Sequence, residues 1–303
     1  MISQTTTDRP APERTRAAWR AGSVRTSDGF AIATFEAGRT DDAAPVIVCV
    51  HGMGHWTQAA WDFVAARFEA THRVVAFDLP GFGASEKPRI AYTLDFFERV
   101  LGEVIEARAP DARVVLMGHS LGGLIAARYA SQQPERVALL VLVDPAGFLR
   151  TPSLVLKVAG SKPVRALVAR IRPSAAFVRR TFRNAVFDPA TIPEDYLARA
   201  VELSRDRAVI FAFADVYANA MGAFIRLRDL HARLARYNGP TLLVWGRDDR
   251  FVPVRGLATA RRVYPGAHER VIDACGHCPA IEHPAILAAA MRDALSKAVP
   301  ATA

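Results

Sequence analysis

The chain has 303 residues, 51% of them hydrophobic and 23% charged, which is enough apolar material for a sizeable core. Three cysteines, Cys49, Cys275 and Cys278, are few and odd in number, which excludes a disulfide-stapled secreted module, and no apolar run reaches the about 18 residues of a membrane helix. The net charge of +9 sits in one segment: Arg150 to Arg236 holds 16 Lys and Arg against 7 Asp and Glu, while the remainder holds 23 of each. Those bases are spread through apolar helical sequence rather than set in a Lys/Arg tract with aromatics, so no nucleic-acid partner is expected.

Residues 1–21 contain no apolar h-region and read as a flexible polar arm rather than a secretory signal, with a cytoplasmic protein as the expectation. Short β-branched runs then alternate with helical patterns. Strands are expected at Val24–Ser27, Ala31–Ala37, Val46–His51, Arg73–Asp78, Arg113–His119 and Val137–Val143, and helices at Thr57–Ala70, Leu94–Ala107 and Leu121–Gln132. Runs such as VIVCV, RVVAFD and VALLVLVD are apolar throughout, which suits strands buried on both faces of a parallel sheet. This alternation predicts an α/β fold with a mostly parallel, doubly wound sheet.

The pattern changes near Gly147. To about residue 236 the sequence shows helical signals and no convincing strand, divided by Pro163, Pro173, Pro189 and Pro193. Thr191 is placed to cap a helix starting near Pro193, with Glu194 and Asp195 in its first turn. Strand patterns resume at Thr241–Gly246 and His268–Ala274, and a closing helix runs from about Pro284 to Lys297. The expected organisation is a core of residues 22–147 and 237–303, interrupted by an all-helical cap over 148–236.

The chemistry-bearing signal is Gly118-His119-Ser120-Leu121-Gly122-Gly123, which follows an apolar strand and opens a helix. A sharp strand-to-helix turn of this kind pushes a serine hydroxyl out of the sheet, and its glycines leave room for the tight turn. A serine needs a base, itself oriented by an acid, and in this architecture the chain order is Ser, acid, His. Asp248 and Asp249 follow the strand TLLVWG, and His277 follows HERVIDA, both just beyond carboxyl ends of strands. Adjacent carboxylates cannot point the same way, so one of the pair is the acid; Asp144, also at a strand end, is the acid only if that role has migrated, and a turn role before Pro145 is the plainer reading. His51-Gly52-Met53-Gly54 follows a third strand. The backbone N–H groups of Met53 and Leu121 are the expected oxyanion donors.

Taken in order, HGMG, DLPGFGASEKP (78–88), GHSLGG, WGRDDRFVP (245–253) and CGHCPAIEHP (275–284) resemble the successive signatures of capped α/β-hydrolase-fold enzymes. The resemblance extends from about residue 22 to the end. Within it, WGRDDRFVP and CGH…EHP look most like the C–C-bond hydrolases of aromatic meta-cleavage pathways and their esterase relatives. In that pattern the acid is the second aspartate, so the resemblance implies a Ser120–Asp249–His277 triad. Haloalkane dehalogenases and epoxide hydrolases resemble a version with aspartate at the nucleophile, which Ser120 argues against.

The implied activity is a serine hydrolase that cleaves a carboxylic ester or similar acyl bond through an acyl-enzyme. The alternatives are C–C hydrolysis of a vinylogous diketo acid, acyl transfer, and a non-catalytic receptor on the same fold. No phosphate cradle or metal-ligand motif is present, so neither a cofactor nor a metal is expected; the Cys275-x-x-Cys278 spacing reads as two small residues flanking His277. Phe213, Tyr217, Met221 and Phe224 recur at helical spacing in the cap, either as its buried face or as the roof of an apolar substrate pocket. The basic cap is expected to favour a small anionic or amphiphilic acyl substrate or contact with an anionic membrane surface. Its contributors are Lys157, Lys162, Arg165, Arg170, Arg172, Arg179, Arg180 and Arg183.

Overall fold

The computed structural model describes residues 14–41, 44–149, 161, 163–164, 167, 170–224 and 226–298. They form an eight-stranded sheet: β1 (Arg20–Arg25), β2 (Ala31–Gly38), β3 (Val46–Val50), β4 (Arg73–Phe77), β5 (Val114–His119), β6 (Val137–Val143), β7 (Thr241–Gly246) and β8 (His268–Ile272). The strand order is β1-β2-β4-β3-β5-β6-β7-β8. Only β2 runs against its neighbours, β1 and β4; every pair from β4 to β8 is parallel. The fold class expected from the alternation is the one observed.

Residue alternation in β3 shows why the sheet must be covered twice. Val48 and Val50 point into one apolar cluster, with Val100 and Leu101 of α2 (Leu94–Arg108) and Leu124 and Ile125 of α3 (Leu121–Gln132). Ile47 and Cys49 point into another, with Trp61 and Val64 of α1 (Thr57–Ala65) and Leu287 and Met291 near the chain end. Each fully buried Val or Leu of this kind contributes ~1.5–3 kcal/mol by leaving water. Cys49 is a packing residue, its thiol pushed up by burial.

Between β6 and β7 lie only helices among the described residues: α4 (Ala175–Ala185), α5 (Glu194–Leu203), α6 (Arg207–Phe224) and α7 (Leu227–Leu234). Polar side-chain bonds tie three of them to the core. Tyr196 of α5 donates to Asp62 of α1 at 2.5 Å, Asp215 of α6 accepts the Tyr92 N–H at 2.8 Å, and Arg233 of α7 donates to Glu98 of α2 at 2.6 Å. The remaining helices are α8 (Leu257–Val263), α9 (Pro279–Glu282) and α10 (Pro284–Ala298).

Two expectations are corrected here. Residues from Arg14 onward do not behave as a free arm: Arg14 donates to Thr191 O at 2.7 Å, Arg16 pairs with Asp195, Trp19 donates to Asp62 at 2.6 Å, and β1 begins at Arg20. Thr191 does not cap α5. It closes a single 3₁₀ turn, Pro189–Thr191, with its hydroxyl on Asp188 O, and Pro193 takes the capping position.

Candidate active site

Ser120 stands between β5 and α3 with φ 53° and ψ −117°, a left-handed backbone that a non-glycine residue adopts only where its surroundings hold it. Its N–H donates to Val143 O at 3.0 Å, and its carbonyl accepts from Ala146 at 3.0 Å and Leu124 at 3.2 Å. The glycines on each side are required by proximity: a Cβ on Gly118 would lie 2.4 Å from Gly122 O, and one on Gly122 would lie 2.2 Å from Val50 O. The elbow is therefore wedged between β5, α3 and the end of β3. It also sets Ser120 at the N-terminus of α3, where the Leu121 N–H is among the helix's first, unladdered donors.

The aspartates after β7 separate as the packing requires. Asp248 is exposed; Asp249 is buried, its Oδ1 accepting from Phe251 N at 2.7 Å and Val252 N at 2.9 Å. Its Oδ2 accepts from His277 Nδ1 at 2.6 Å, which fixes Nε2 as the free ring nitrogen.

The loop carrying His277 is held from three directions. Glu282 Oε1 accepts the N–H groups of Gly276 at 2.9 Å and Cys278 at 3.4 Å, one on each side of the histidine. His119 Nε2 donates to the His277 carbonyl at 2.6 Å, and the His277 N–H donates to Ala185 O, at the end of α4, also at 2.6 Å. Glu282 Oε2 accepts Phe187 N–H at 2.6 Å, so this carboxylate joins the histidine loop to the helical region. Burial holds Glu282 above the usual carboxylate range and His119 well below the usual imidazole range.

The loop after β3 completes the surroundings. His51 donates from Nδ1 to Gly52 O at 2.7 Å and accepts the Leu79 N–H on Nε2 at 2.8 Å, so its ring braces the DLPGFG turn. Asp78 in that turn orders backbone, accepting from Thr57 N and Ala84 N at 2.7 Å each. Met53 is half-buried at the loop's crest, and Gly54, at φ 77°, faces the Phe213 ring, whose Cε2 would be 3.4 Å from a Cβ there.

Of the four cap residues singled out by spacing, Phe213 and Tyr217 are 39% and 40% exposed and do not form the buried face of α6. That face is Ala212, Val216 and Ala220, which enter the main core. The side chains of Met221 and Phe224 lie outside the described residues. Two contributors escaped the sequence reading. Phe251, two residues after Asp249, puts its ring edge-on to His277 at 5.6 Å between centroids, and Glu282 holds the histidine loop. The EHP triplet quoted above contains Glu282, and its buried backbone bonds are the reason for that residue.

Cys275 and Cys278 are free, buried thiols, pushed up by burial and by the Glu282 charge. A cleft of about 380 Å³ between α2 and α3, lined by Asp95, Arg99, Tyr129 and Gln132, lies at the far end of α3 from Ser120 and takes no part in this geometry.

A sequence model of the alpha/beta hydrolase fold family matches residues 45–284. The chain belongs to that family. It is 30% identical over 268 residues to a 2-hydroxy-6-oxononadienedioate/2-hydroxy-6-oxononatrienedioate hydrolase of Cupriavidus pinatubonensis, covering 86% of this chain and 90% of that protein. Among solved structures it is similar to a bacterial membrane phospholipase A (27% identity, TM-score 0.71, 93% and 87% of the two chains). It is also similar to CarC, a serine hydrolase involved in carbazole degradation (26% identity, TM-score 0.74, 92% and 100%). The protein is thus a serine hydrolase related to C–C hydrolases and lipases, and among the described residues no helix is long and apolar enough to cross a membrane.

Proposed function

We propose that this α/β-hydrolase cleaves a carboxylic ester of an apolar or amphiphilic acyl substrate, with Ser120 as nucleophile, His277 as base and Asp249 as the acid. The observation that carries the reading is the His277 Nδ1 to Asp249 Oδ2 bond of 2.6 Å, on a loop whose neighbour His119 is also the neighbour of Ser120.

Ser120 Oγ attacks the carbonyl carbon as its proton passes to His277 Nε2, and Asp249 stabilises the imidazolium. The Met53 and Leu121 N–H groups receive the oxyanion, aided at Leu121 by the N-terminus of α3. Collapse expels the alcohol, which takes the proton from His277. Water then attacks the acyl-enzyme, with His277 again taking its proton, and the carboxylic acid leaves as Ser120 is restored. Phe213 beside Gly54 and Phe251 beside His277 offer exposed aromatic surface here, Tyr217 adds exposed surface one turn further along α6, and together they suit an apolar chain.

An anionic amphiphile or an anionic lipid surface is the partner that the helical region suits. Phe177 of α4 is 62% exposed, three residues from exposed Arg180; Leu167 and Ile171 are exposed beside Arg170 and Arg172. Arg183 is exposed on α4 as well, whereas Arg179 is engaged by Glu194. Lys157, Lys162 and Arg165 lie outside the described residues. C–C hydrolysis is the second reading, favoured by the 30% identical relative.

Purified protein assayed on p-nitrophenyl esters of graded chain length and on a vinylogous diketo acid separates these readings. Turnover of esters, highest on medium or long chains, is expected; cleavage of the diketo acid alone would replace the ester reading with the second. Rates on carboxylate-bearing and neutral esters at rising ionic strength, with binding to anionic vesicles, test the charged surface. Equal salt response and no vesicle binding would remove that partner.

A further inference from the structure

Asp144 directly follows β6 with φ 44° and is fully buried, yet the mechanism above gives it no task. Its N–H donates to Val244 O at 3.0 Å and its Oδ1 accepts the Gly246 N–H at 2.8 Å. Its Oδ2 is buried with no hydrogen-bond donor. The titratable groups that face it are Asp249 from the loop after β7, Glu282 from α9, and the rings of His119 and His277, each with a nitrogen within 4.8 Å of its carboxyl. Cys275 and Cys278 of the histidine loop are uncharged thiols near the same point.

Two buried carboxyls side by side cannot both be ionised, because the second charge has no solvent or cation to compensate it. Which one keeps the proton follows from the donors each receives. Asp249 accepts three N–H groups, from Phe251, Val252 and His277; Asp144 accepts one, from Gly246. The charge belongs where the donors are. An ionised Asp144 would leave Oδ2 bare, whereas a proton on Oδ2 turns that oxygen into a donor facing a carboxylate.

We propose that Asp144 is kept as the neutral carboxylic acid and donates its proton in a hydrogen bond to the Asp249 carboxylate, acting as a positioning residue for the acid of the triad. Burial, with the Asp249 charge next, holds Asp144 well above the usual carboxylate range, in the same direction. The pair carries a single negative charge. That charge meets the imidazolium formed on His277, while the bond from Asp144 fixes the Asp249 rotamer and makes it a poorer proton acceptor, so the proton on Nδ1 stays with histidine. The inference rests on Asp249 being the acid of the triad.

The test uses Asp144→Asn, Asp144→Gly and the wild-type chain. Asparagine keeps an acceptor for Gly246 and an N–H donor for Asp249, and glycine tolerates the positive φ without strain. Infrared difference spectra of wild type minus D144N at pH 7 should show the carbonyl stretch of a protonated carboxylic acid. D144N should keep kcat/KM within about threefold with its acidic limb in place. D144G, without the donor, should lose about tenfold and show a displaced acidic limb, because Asp249 then faces the imidazolium without the Asp144 bond. Absence of the infrared band, or a D144N loss as large as that of D144G, would overturn the proposal. So would a D144G profile superimposable on wild type. The band reads Asp144 alone, so its presence alongside a fully active Asp249→Asn variant would sink the triad reading and leave the hydrogen bond standing.

Discussion

Tyr196 in α5 and Trp19 ahead of β1 donate to the two oxygens of one buried carboxylate, Asp62 of α1, at 2.5 and 2.6 Å. Three segments far apart in sequence thus share a single anchor. Removing the hydroxyl leaves Oδ2 with Arg16 at 3.9 Å as its nearest cation among the described residues. Tyr196→Phe should cost ~1–3 kcal/mol of stability, a drop of several degrees in Tm, while kcat stays near wild type. An unchanged Tm would show that Asp62 finds another donor.

Ser120→Ala should leave the fold intact and remove turnover. The hydroxyl contributes little to packing at the half-buried elbow, and losing the nucleophile of a triad costs on the order of 10⁶ in kcat. Circular dichroism and an ester assay on the same preparation check both halves. A variant with a tenth of the wild-type rate would exclude Ser120 as nucleophile.

The neighbouring aspartates should differ sharply. Asp249→Asn spoils the tautomer of His277 and should lower kcat by about 10⁴. Asp248 is exposed, so Asp248→Asn should stay within a few-fold. The opposite ranking would move the acid to Asp248.

Acid should unfold this protein partly through His55. Burial pushes its pKa down to about 3, and its ring is stacked on Phe182 at 5.6 Å with Nδ1 unbonded among the described residues. The unfolded chain takes a proton near pH 6.5 and the native one does not, so the stabilisation is complete above about 6.5 and falls as pH drops toward 3. His55→Phe keeps the stack and removes the titration. Its Tm should fall less than that of wild type between pH 7 and pH 4, and parallel curves would show that His55 protonates freely in the folded state.

What the sequence discloses depends on how repetitive the governing pressure is. Val46–Val50 is apolar at every position because both faces of β3 are covered, so strand, layer and buried cysteine are legible together. β1 is mostly exposed and has no alternation to read, so its pattern becomes legible only at Val24, four residues into the strand. Ser120, Asp249 and His277 stand out because strand ends and glycines mark their places. Glu282 does not, since its work is done on backbone N–H groups, which any sequence supplies. The large residues of α6 read equally as a buried face or a pocket roof, and the buried face is instead Ala212, Val216 and Ala220, whose smaller side chains carry a weaker periodic signal.

The His277 N–H bond to Ala185 O, and the Phe187 N–H bond to the Glu282 carboxylate that holds the histidine loop, make that loop and the end of α4 one mechanical part. Lifting the α4 end would pull on His277 itself. The exchange of the His277 amide proton with solvent therefore reports how readily that joint opens.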